Sequence, residues 1–278
     1  MLVVANLFVW KEITKGGVLQ VMFFDVGQGD AIFIETPYAH QILIDGGSDS
    51  QTTNKLGKVM PFWDRTLDLV ILTHPDKDHI AGLIDVLKEY KVENVLWTGV
   101  EKDTKLFEKW EQVLEEESKE GARVGIAHAP QKVVWSKSKS SFIDILYPLE
   151  NLQGENPPDT NNTSLVSKLV FGNASFLLPG DISYKTEKSL LAEGINLRAD
   201  ILKVAHHGSK FSSARPFLAA ASPELAVIEV GRENRYGHPT QEVIERFEEL
   251  QIPILRTDQN GDILIRSDGK SFWVNVRK

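Results

Sequence analysis

The sequence predicts an α/β protein built of layered sheets and helices, and two observations carry this prediction. Three apolar runs, at residues 67–72, 174–178 and 201–205, each end in acidic or imidazole side chains. Apolar residues at helical spacing follow these runs. Because layered α/β folds place their functional groups at the ends of strands, the three ends predict one shared site.

Composition sets the limits of the prediction. The chain has 278 residues, a formal net charge of −8 and no cysteine. An acidic chain argues against broad electrostatic binding to a nucleic-acid backbone, although a local basic patch remains compatible with it. The lack of cysteine excludes disulfides and thiolate metal sites, but it fits either side of a membrane. Two localisations therefore stay open: a soluble domain associated with the extracytoplasmic side of a membrane, or a cytoplasmic protein.

The chain divides into an apolar N-terminal segment, residues 1–17, and one domain, residues 18–278. Residues 1–10 are almost wholly apolar, but a membrane-spanning helix needs about 20 such residues. They are interpreted either as a terminal packing segment or as the remnant of a membrane helix.

The elements follow in order from local patterns. Strands are predicted at 18–24, 31–35, 41–44, 67–72, 94–97, 123–127, 132–135, 142–146, 165–171, 174–178, 201–205, 225–230, 254–256, 262–266 and 271–276. Helices are predicted after residue 79 and around 106–114, 183–192, 213–221 and 243–250. The stretch 161–164 is predicted to open the hairpin of 165–178, and 151–160 to form a surface loop.

The densest cluster of chemistry is Thr73-His-Pro-Asp-Lys-Asp-His79, with four potential metal ligands in six residues. Helix capping would explain one carboxylate but not the whole set. We expect His74 and Asp76 on one metal, Asp78, His79 and His206 on a second, and Asp181 as the bridge. Oxygen and nitrogen ligands without sulfur suit two divalent ions, Zn²⁺ or Mn²⁺. Such ions would activate a water molecule for hydrolysis.

Other residues complete the predicted site. Of the adjacent pair His206 and His207, one is expected to bind metal, with His206 preferred, and the other to support it. His238 is either a packing residue or a group that protonates a leaving oxygen. The predicted catalytic side chains are Asp78, His207 and His238; those that support the ligands are Asp25, Asp30, Asp45 and Asn162; and those that bind substrate are Lys77, Ser209, Lys210, Arg232 and Arg235.

Six motifs in order resemble the metallo-β-lactamase superfamily, and more closely the C-terminal metallo-β-lactamase domain of the ComEC family. They are Asp25-Val-Gly-Gln-Gly-Asp30, Leu43-Ile-Asp-Gly-Gly47, Thr73–His79, Asn162-Thr-Ser-Leu-Val166, Leu178-Pro-Gly-Asp181 and Leu202-Lys-Val-Ala-His-His-Gly-Ser209. The resemblance implies a four-layer αβ/βα sandwich of two mixed sheets flanked by helices, with residues 18–278 as the hydrolase domain. In two places the sequence departs from the wider superfamily: Asp76 replaces the second histidine of HxHxDH, and Asn161 or Asn162 stands where many relatives carry a third histidine.

The resemblance also implies an activity. It predicts a metal-dependent phosphodiesterase, a nuclease that acts on single-stranded DNA during DNA uptake with a membrane channel as partner. Two alternatives stay open. One is a hydrolase of a smaller phosphoester, thioester or lactone within the same fold. The other is a non-catalytic scaffold domain of a DNA-uptake complex.

Overall fold

The computed structural model describes residues 17–135 and 141–277. The strands are β1 (Leu19–Phe23), β2 (Ile32–Glu35), β3 (Gln41–Ile44), β4 (Thr66–Leu67), β5 (Leu69–Leu72), β6 (Lys91–Val92), β7 (Asn94–Trp97), β8 (Arg123–Ile126), β9 (Gln131–Val134), β10 (Ser141–Tyr147), β11 (Val166–Phe171), β12 (Ala174–Leu178), β13 (Ile201–Lys203), β14 (Leu225–Ile228), β15 (Ile254–Arg256), β16 (Asp262–Ser267) and β17 (Phe272–Arg277). The helices are α1 (Gln51–Val59), α2 (Lys77–Glu89), α3 (Lys105–Glu120), α4 (Tyr184–Ala192), α5 (Arg215–Ala221), α6 (Gln241–Glu249) and α7 (Thr257–Asn260).

These strands form two large mixed sheets and one short pair. The first sheet has the order β17-β16-β1-β2-β3-β5-β7-β8, and the second has the order β15-β14-β13-β12-β11-β10-β9. Strands β4 and β6 pair separately. The central strands β3, β5 and β7 run parallel, as do β12, β13 and β14. Their carboxyl ends therefore deliver the loops that carry the predicted ligands.

Side-chain alternation along the strands produces the layers. On β1, Leu19, Val21 and Phe23 pack into the core between the two sheets, whereas Met22 packs against the outer helices. Because strand residues alternate between the two faces of a sheet, one strand contributes side chains to two cores. A third core lies between the second sheet and α4, α5 and α6. The described residues thus form the four-layer αβ/βα sandwich that the sequence predicted, with two mixed sheets between helical layers.

Several local predictions were wrong in detail. Helix α1 was not predicted, because its buried face consists of Thr52, Thr53 and Leu56 and carries little hydrophobic signal. Residues 161–163 form a 3₁₀ turn instead of opening a strand, and β11 begins at Val166. Strand β13 ends at Lys203, two residues earlier than predicted.

The predicted apolar N-terminal segment falls outside the described residues, apart from Gly17. The boundary between segment and domain at residue 17 thus stays a prediction. None of the helices in the described part of the chain is both long enough and apolar enough to cross a membrane.

Candidate metal centre

Three buried imidazoles form the middle of the site. His74 and His79 flank the turn between β5 and α2, and His207 follows β13; each is at most 1% exposed. The His74 and His79 rings lie 4.1 Å apart, and the His79 and His207 rings 5.5 Å apart. Residues from both sheets therefore meet in one enclosed position.

Hydrogen bonds fix the Nδ1 atom of each ring. His207 Nδ1 lies 2.8 Å from the Glu229 carbonyl, and His79 Nδ1 lies 2.8 Å from Asp45 Oδ2. Because a carbonyl only accepts, His207 Nδ1 must carry the proton, and the Asp45 carboxylate requires the same of His79. Partners of this kind orient metal-binding histidines.

Asp45 also orients His74, through Thr73. Its carboxylate accepts the Thr73 N–H at 2.8 Å and the Thr73 hydroxyl at 2.6 Å. The hydroxyl has given its only proton to Asp45, so it accepts from His74 Nδ1 at 3.0 Å. All three rings thus carry a proton on Nδ1 and direct Nε2 into the site.

Two carboxylates face these Nε2 atoms. Asp181 Oδ2 lies 3.4 Å from His79 Nε2 and 3.3 Å from His207 Nε2, and Asp78 Oδ2 lies 3.5 Å from His207 Nε2. The backbone N–H of Asp181 donates to Ser164 Oγ at 3.1 Å, and Gln28 Nε2 donates to Asp78 at 3.3 Å. One oxygen of each carboxylate therefore faces the imidazoles, and on Asp78 the same Oδ2 also accepts from Gln28.

This donor set fits a divalent cation. The Nε2 atoms of His74, His79 and His207 are buried, and none makes a hydrogen bond to a described residue. Buried nitrogen atoms without partners are rare and call for an explanation. Two groups, His74–His79–Asp181 and Asp78–His79–His207, each bring their potential ligand atoms within 4.8 Å of one another. Imidazole nitrogen and carboxylate oxygen without sulfur suit Zn²⁺ or Mn²⁺.

A buried lysine underlies this set. Lys203, at the end of β13, is 1% exposed and contacts the Asp30 carboxylate, while its Nζ lies 3.4 Å from Asp181 Oδ1. Burial disfavours the charged ammonium, but Asp30 and Asp181 outweigh burial and hold the pKa of Lys203 above its usual value. Lys203 thus anchors one oxygen of Asp181 and leaves the other facing the imidazoles.

The carboxylates also control the protonation of the imidazoles. Burial alone lowers the pKa of His79 and His207, but Asp181 raises it well above the usual value, aided by Asp45 at His79 and Asp30 at His207. The raised pKa favours a proton on Nε2 of both rings as well as on Nδ1. A divalent ion would replace the Nε2 protons, so its binding is coupled to proton release.

His206 and His207 exchange their predicted roles. The structure places His207 among the potential ligands, whereas His206 belongs to no group of three or more within the described residues. The His206 ring lies 5.7 Å from His238. Both histidines adopt positive φ, 51° and 53°, which is uncommon for a residue with a Cβ. The strained backbone turns His207 inward and leaves His206 at the rim.

Asp76 pairs with residues outside the compact ligand groups, although it lies near His74: burial would raise the pKa of Asp76, but His74, Lys102 and Thr160 together lower it. Its carboxylate accepts from Lys102 Nζ at 2.6 Å and from the Thr160 hydroxyl. It belongs to none of the compact ligand groups among the described residues. The assignment of His74 and Asp76 to one metal ion stays a prediction, and in this structure Lys102 and Thr160 occupy the Asp76 carboxylate.

His238 lies on the loop before α6. Asn234 holds this loop by accepting the His238 N–H and donating to the His238 carbonyl. Burial, together with His206 and His207, lowers the pKa of His238 to about 4. Its ring is thus neutral at pH 7, which suits hydrogen bonding to a substrate better than donating a proton.

The remaining predicted residues lie in varied positions. Asp25 accepts from Gly27 N–H and shapes the turn before Asp30, without contacting a ligand. Asn162 Oδ1 accepts from the N–H and hydroxyl of Ser183, which caps α4, and from the Thr186 hydroxyl. Ser209 is buried, and Arg232 donates to the Asp258 carbonyl. Lys77, Lys210 and Arg235 are exposed.

Several supporting residues were missed from sequence. They are Gln28, Thr73, Lys102, Thr160, Ser164, Lys203 and Glu229. Lys203 had a detectable signal, because a lysine within a buried strand needs a carboxylate partner. Glu229 carried the same signal, an acid within the apolar run 225–230. Gln28, Thr73 and Ser164 lie within the quoted motifs but were given no role, whereas Lys102 and Thr160 are polar residues that nothing in their local sequence distinguishes from ordinary surface residues.

The fold and the arrangement of the candidate metal ligands are those of one protein superfamily. A family model of the metallo-beta-lactamase superfamily matches residues 24–231. This chain belongs to that superfamily.

Curated relatives narrow the resemblance. The chain is 32% identical over 277 residues to ComE operon protein 3 of Bacillus subtilis (strain 168), covering 94% of this chain and 34% of the relative. It is 33% identical over 244 residues to competence protein ComA of Neisseria gonorrhoeae, covering 87% of this chain and 31% of the relative. The chain spans about a third of the length of these relatives. The predicted likeness to a competence-protein domain is confirmed.

Solved structures share the fold. One is the CmlA beta-hydroxylase E377D mutant, with a TM-score of 0.56, 13% identity, and coverage of 90% of this chain and 54% of the other. Another is Igni18, a metallo hydrolase from Ignicoccus hospitalis, with a TM-score of 0.53, 12% identity, and coverage of 89% and 98%. At such low identity they support the sandwich fold alone.

Proposed function

We propose that this chain is a metal-dependent hydrolase that cleaves phosphodiester bonds of DNA, in the service of DNA uptake. One observation carries the proposal: three buried Nε2 atoms without hydrogen bonds converge with Asp78 and Asp181. The similarity to ComE operon protein 3 and competence protein ComA supports a role beside DNA.

The residues of the candidate metal centre would have different roles in this reaction. When bound, a divalent cation supplies charge stabilisation at a phosphoryl oxygen and activation of water. Asp78, His79, His207 and Asp181 would hold the cation. Asp45, Thr73 and the Glu229 carbonyl keep a proton on Nδ1 of each imidazole, so Nε2 is the nitrogen that would bind the cation as it loses its own proton. Neutral His238 offers a hydrogen bond at the rim.

Exposed aromatic and basic residues near the site favour a nucleic-acid strand as substrate. Phe211 is 54% exposed and Tyr236 65% exposed. The Lys210 ammonium lies 5.1 Å from the centre of the Phe211 ring, and Tyr236 stacks on His238. Exposed aromatic rings beside basic groups provide stacking surfaces for the bases of single-stranded DNA. The Lys210 ammonium adds a positive charge at this rim of a chain whose net charge is −8.

The test uses purified protein with Mn²⁺ or Zn²⁺ and linear single-stranded DNA. We expect metal-dependent cleavage that Asp181→Asn reduces by about 100-fold or more, because the substitution weakens the ligand set. Asp103→Asn, at an exposed aspartate, is the matched control and should retain activity.

A parallel screen addresses the alternatives. Bis-p-nitrophenyl phosphate, a lactone and a thioester are offered under the same conditions. Cleavage of one of these without cleavage of DNA would replace the proposed nuclease by a small-substrate hydrolase. Loss of all activity together with absence of bound metal would favour the scaffold.

A further inference from the structure

Asp76, at a ligand position of the motif, forms an ion pair with Lys102. Asp76 stands where the HxHxDH pattern has its second histidine, and its Oδ1 lies 2.6 Å from Lys102 Nζ. The Thr160 hydroxyl contacts the same oxygen and lies 3.1 Å from Lys102 Nζ. Side chains from three separate segments thus meet at one carboxylate oxygen. The segments are the turn before α2, the turn after β7 and the end of the 151–160 loop.

The two halves of the centre are therefore unequal. On one side, Asp78, His79 and His207 bring their ligand atoms within 4.8 Å of one another, and Asp181 faces both imidazoles. On the other side, His74 has only Asp181 and the shared His79 within such a group. The Asp76 carboxylate, which would complete this side, lies near His74 but is paired with the Lys102 ammonium.

Charge adds to the inequality. A second divalent ion on the His74 side would have to break the Asp76–Lys102 pair and remain near both the ammonium and the first metal ion. The pair is partly exposed, with 27% of the Asp76 side chain and 32% of the Lys102 side chain accessible. It is therefore a barrier that can open, but only at a cost in binding free energy.

We propose that Lys102 acts as a fixed cation in place of the first metal ion, so that the centre binds one divalent ion tightly, at Asp78, His79, His207 and Asp181, and a second only weakly. The inference rests on the metal centre of the proposed function but does not depend on the substrate. Lys102 is thus a positioning residue that sets the metal content of the site.

Metal content is measured without any substrate. The full chain is titrated with Mn²⁺ by calorimetry, and bound metal is counted after desalting. We expect one tight ion per chain in the wild type and two in Lys102→Met, with the second site tightening by about tenfold or more. Lys105→Met, at an exposed lysine that begins α3, is the matched control and should keep one ion.

Electron paramagnetic resonance gives a second measurement. The wild type with one Mn²⁺ equivalent should show an isolated ion, and Lys102→Met with two equivalents should show a spin-coupled pair. Lys102→Gln repeats the test if the Met variant fails to fold. Two ions of equal affinity in the wild type, or a single ion in both folded variants, would overturn the inference while leaving the hydrolase intact. A wild type that binds no metal would overturn both proposals.

Discussion

The Asp45 carboxylate supports the orientation of two candidate ligands, His74 and His79. It accepts from Thr73 twice and from His79 Nδ1 once, and Thr73 in turn orients His74. Asp45→Asn removes one acceptor oxygen and places an amide donor against these groups. We expect metal affinity to fall by about 10–100-fold.

Calorimetric titration with Mn²⁺ measures this loss. Asp103→Asn, at an exposed aspartate, should match the wild type. Unchanged affinity in Asp45→Asn would mean that the Nδ1 partners do not support the ligands.

His206 and His207 form a natural pair of variants, because they are adjacent and chemically identical but face different surroundings. His207 Nε2 faces Asp78 and Asp181, whereas the ring of His206 lies beside His238. His207→Ala should lower metal affinity by at least about tenfold, while His206→Ala should leave it close to wild type. A larger loss of metal affinity in His206→Ala than in His207→Ala would instead support His206, the ligand predicted from sequence.

At the scale of elements, the site depends on how closely α2 approaches the end of β3. Gly82 lies within α2, and a Cβ there would meet the Gly46 carbonyl oxygen at 1.8 Å. Only glycine allows the helix to lie against the turn that carries Asp45. Gly82→Ala should therefore lower the free energy of unfolding by about 1–3 kcal/mol and weaken metal binding.

Gly57 is the matched control for this substitution. It lies in α1, and a Cβ there would meet nothing within 4 Å. Gly57→Ala should raise the free energy of unfolding by roughly 0.5–1 kcal/mol, because alanine favours helix. Urea denaturation measures both variants, and equal effects of the two would show that the approach of α2 is not tight.

Helix α4 holds the segment after His207 through a buried acid. Glu187 is 1% exposed and accepts the Ala214 N–H at 2.9 Å as well as the Ser213 N–H. Burial outweighs these hydrogen bonds and raises the pKa of Glu187 to about 7. The native state thus keeps a proton that the unfolded chain releases near pH 4.5.

Stability should therefore fall as pH rises from about 4.5 to 7, with a contribution from Glu187 of about 3 kcal/mol at most. Glu187→Gln does not titrate, so the stability of the wild type relative to this variant should decrease over that range. Urea unfolding at several pH values measures the difference. Glu193→Gln, at the exposed end of the same helix, should run parallel to the wild type, and parallel curves for Glu187→Gln would contradict the assignment.

For the whole molecule, the sequence was a good guide to the order of elements and to which strand ends meet. It was a poorer guide to which side chain at a strand end points inward. His74, His79 and Asp181 could be placed because each follows an apolar strand whose end lies at one edge. His207 could not be separated from His206, because the choice depends on backbone with φ near +50° at both. Asp76 was assigned to a metal ion because the local sequence gives no sign of its partners. Those partners, Lys102 and Thr160, lie 26 and 84 residues away in sequence.

The candidate ligands come from both sheets, so a bound metal ion would join the two halves of the sandwich. His79 and Asp78 belong to the turn and helix after β5 of the first sheet, and Asp181 and His207 follow β12 and β13 of the second. An ion that binds only when these elements are in place stabilises the native state by mass action. At a free metal concentration 100-fold above Kd, the gain is about 2.7 kcal/mol.

Thermal unfolding with Mn²⁺ and with a chelator measures this gain. A rise in Tm of roughly 5–10 °C is expected for the wild type. His207→Ala breaks the link from the second sheet and should lose most of the rise, whereas His128→Ala, at a histidine whose Nδ1 contacts the Ala129 carbonyl away from the ligands, should retain it. An equal rise in all three proteins would mean that the metal binds elsewhere and does not join the sheets. Because the candidate ligands belong to both halves, removal of a bound cation should loosen the whole sandwich and not only the loops around it.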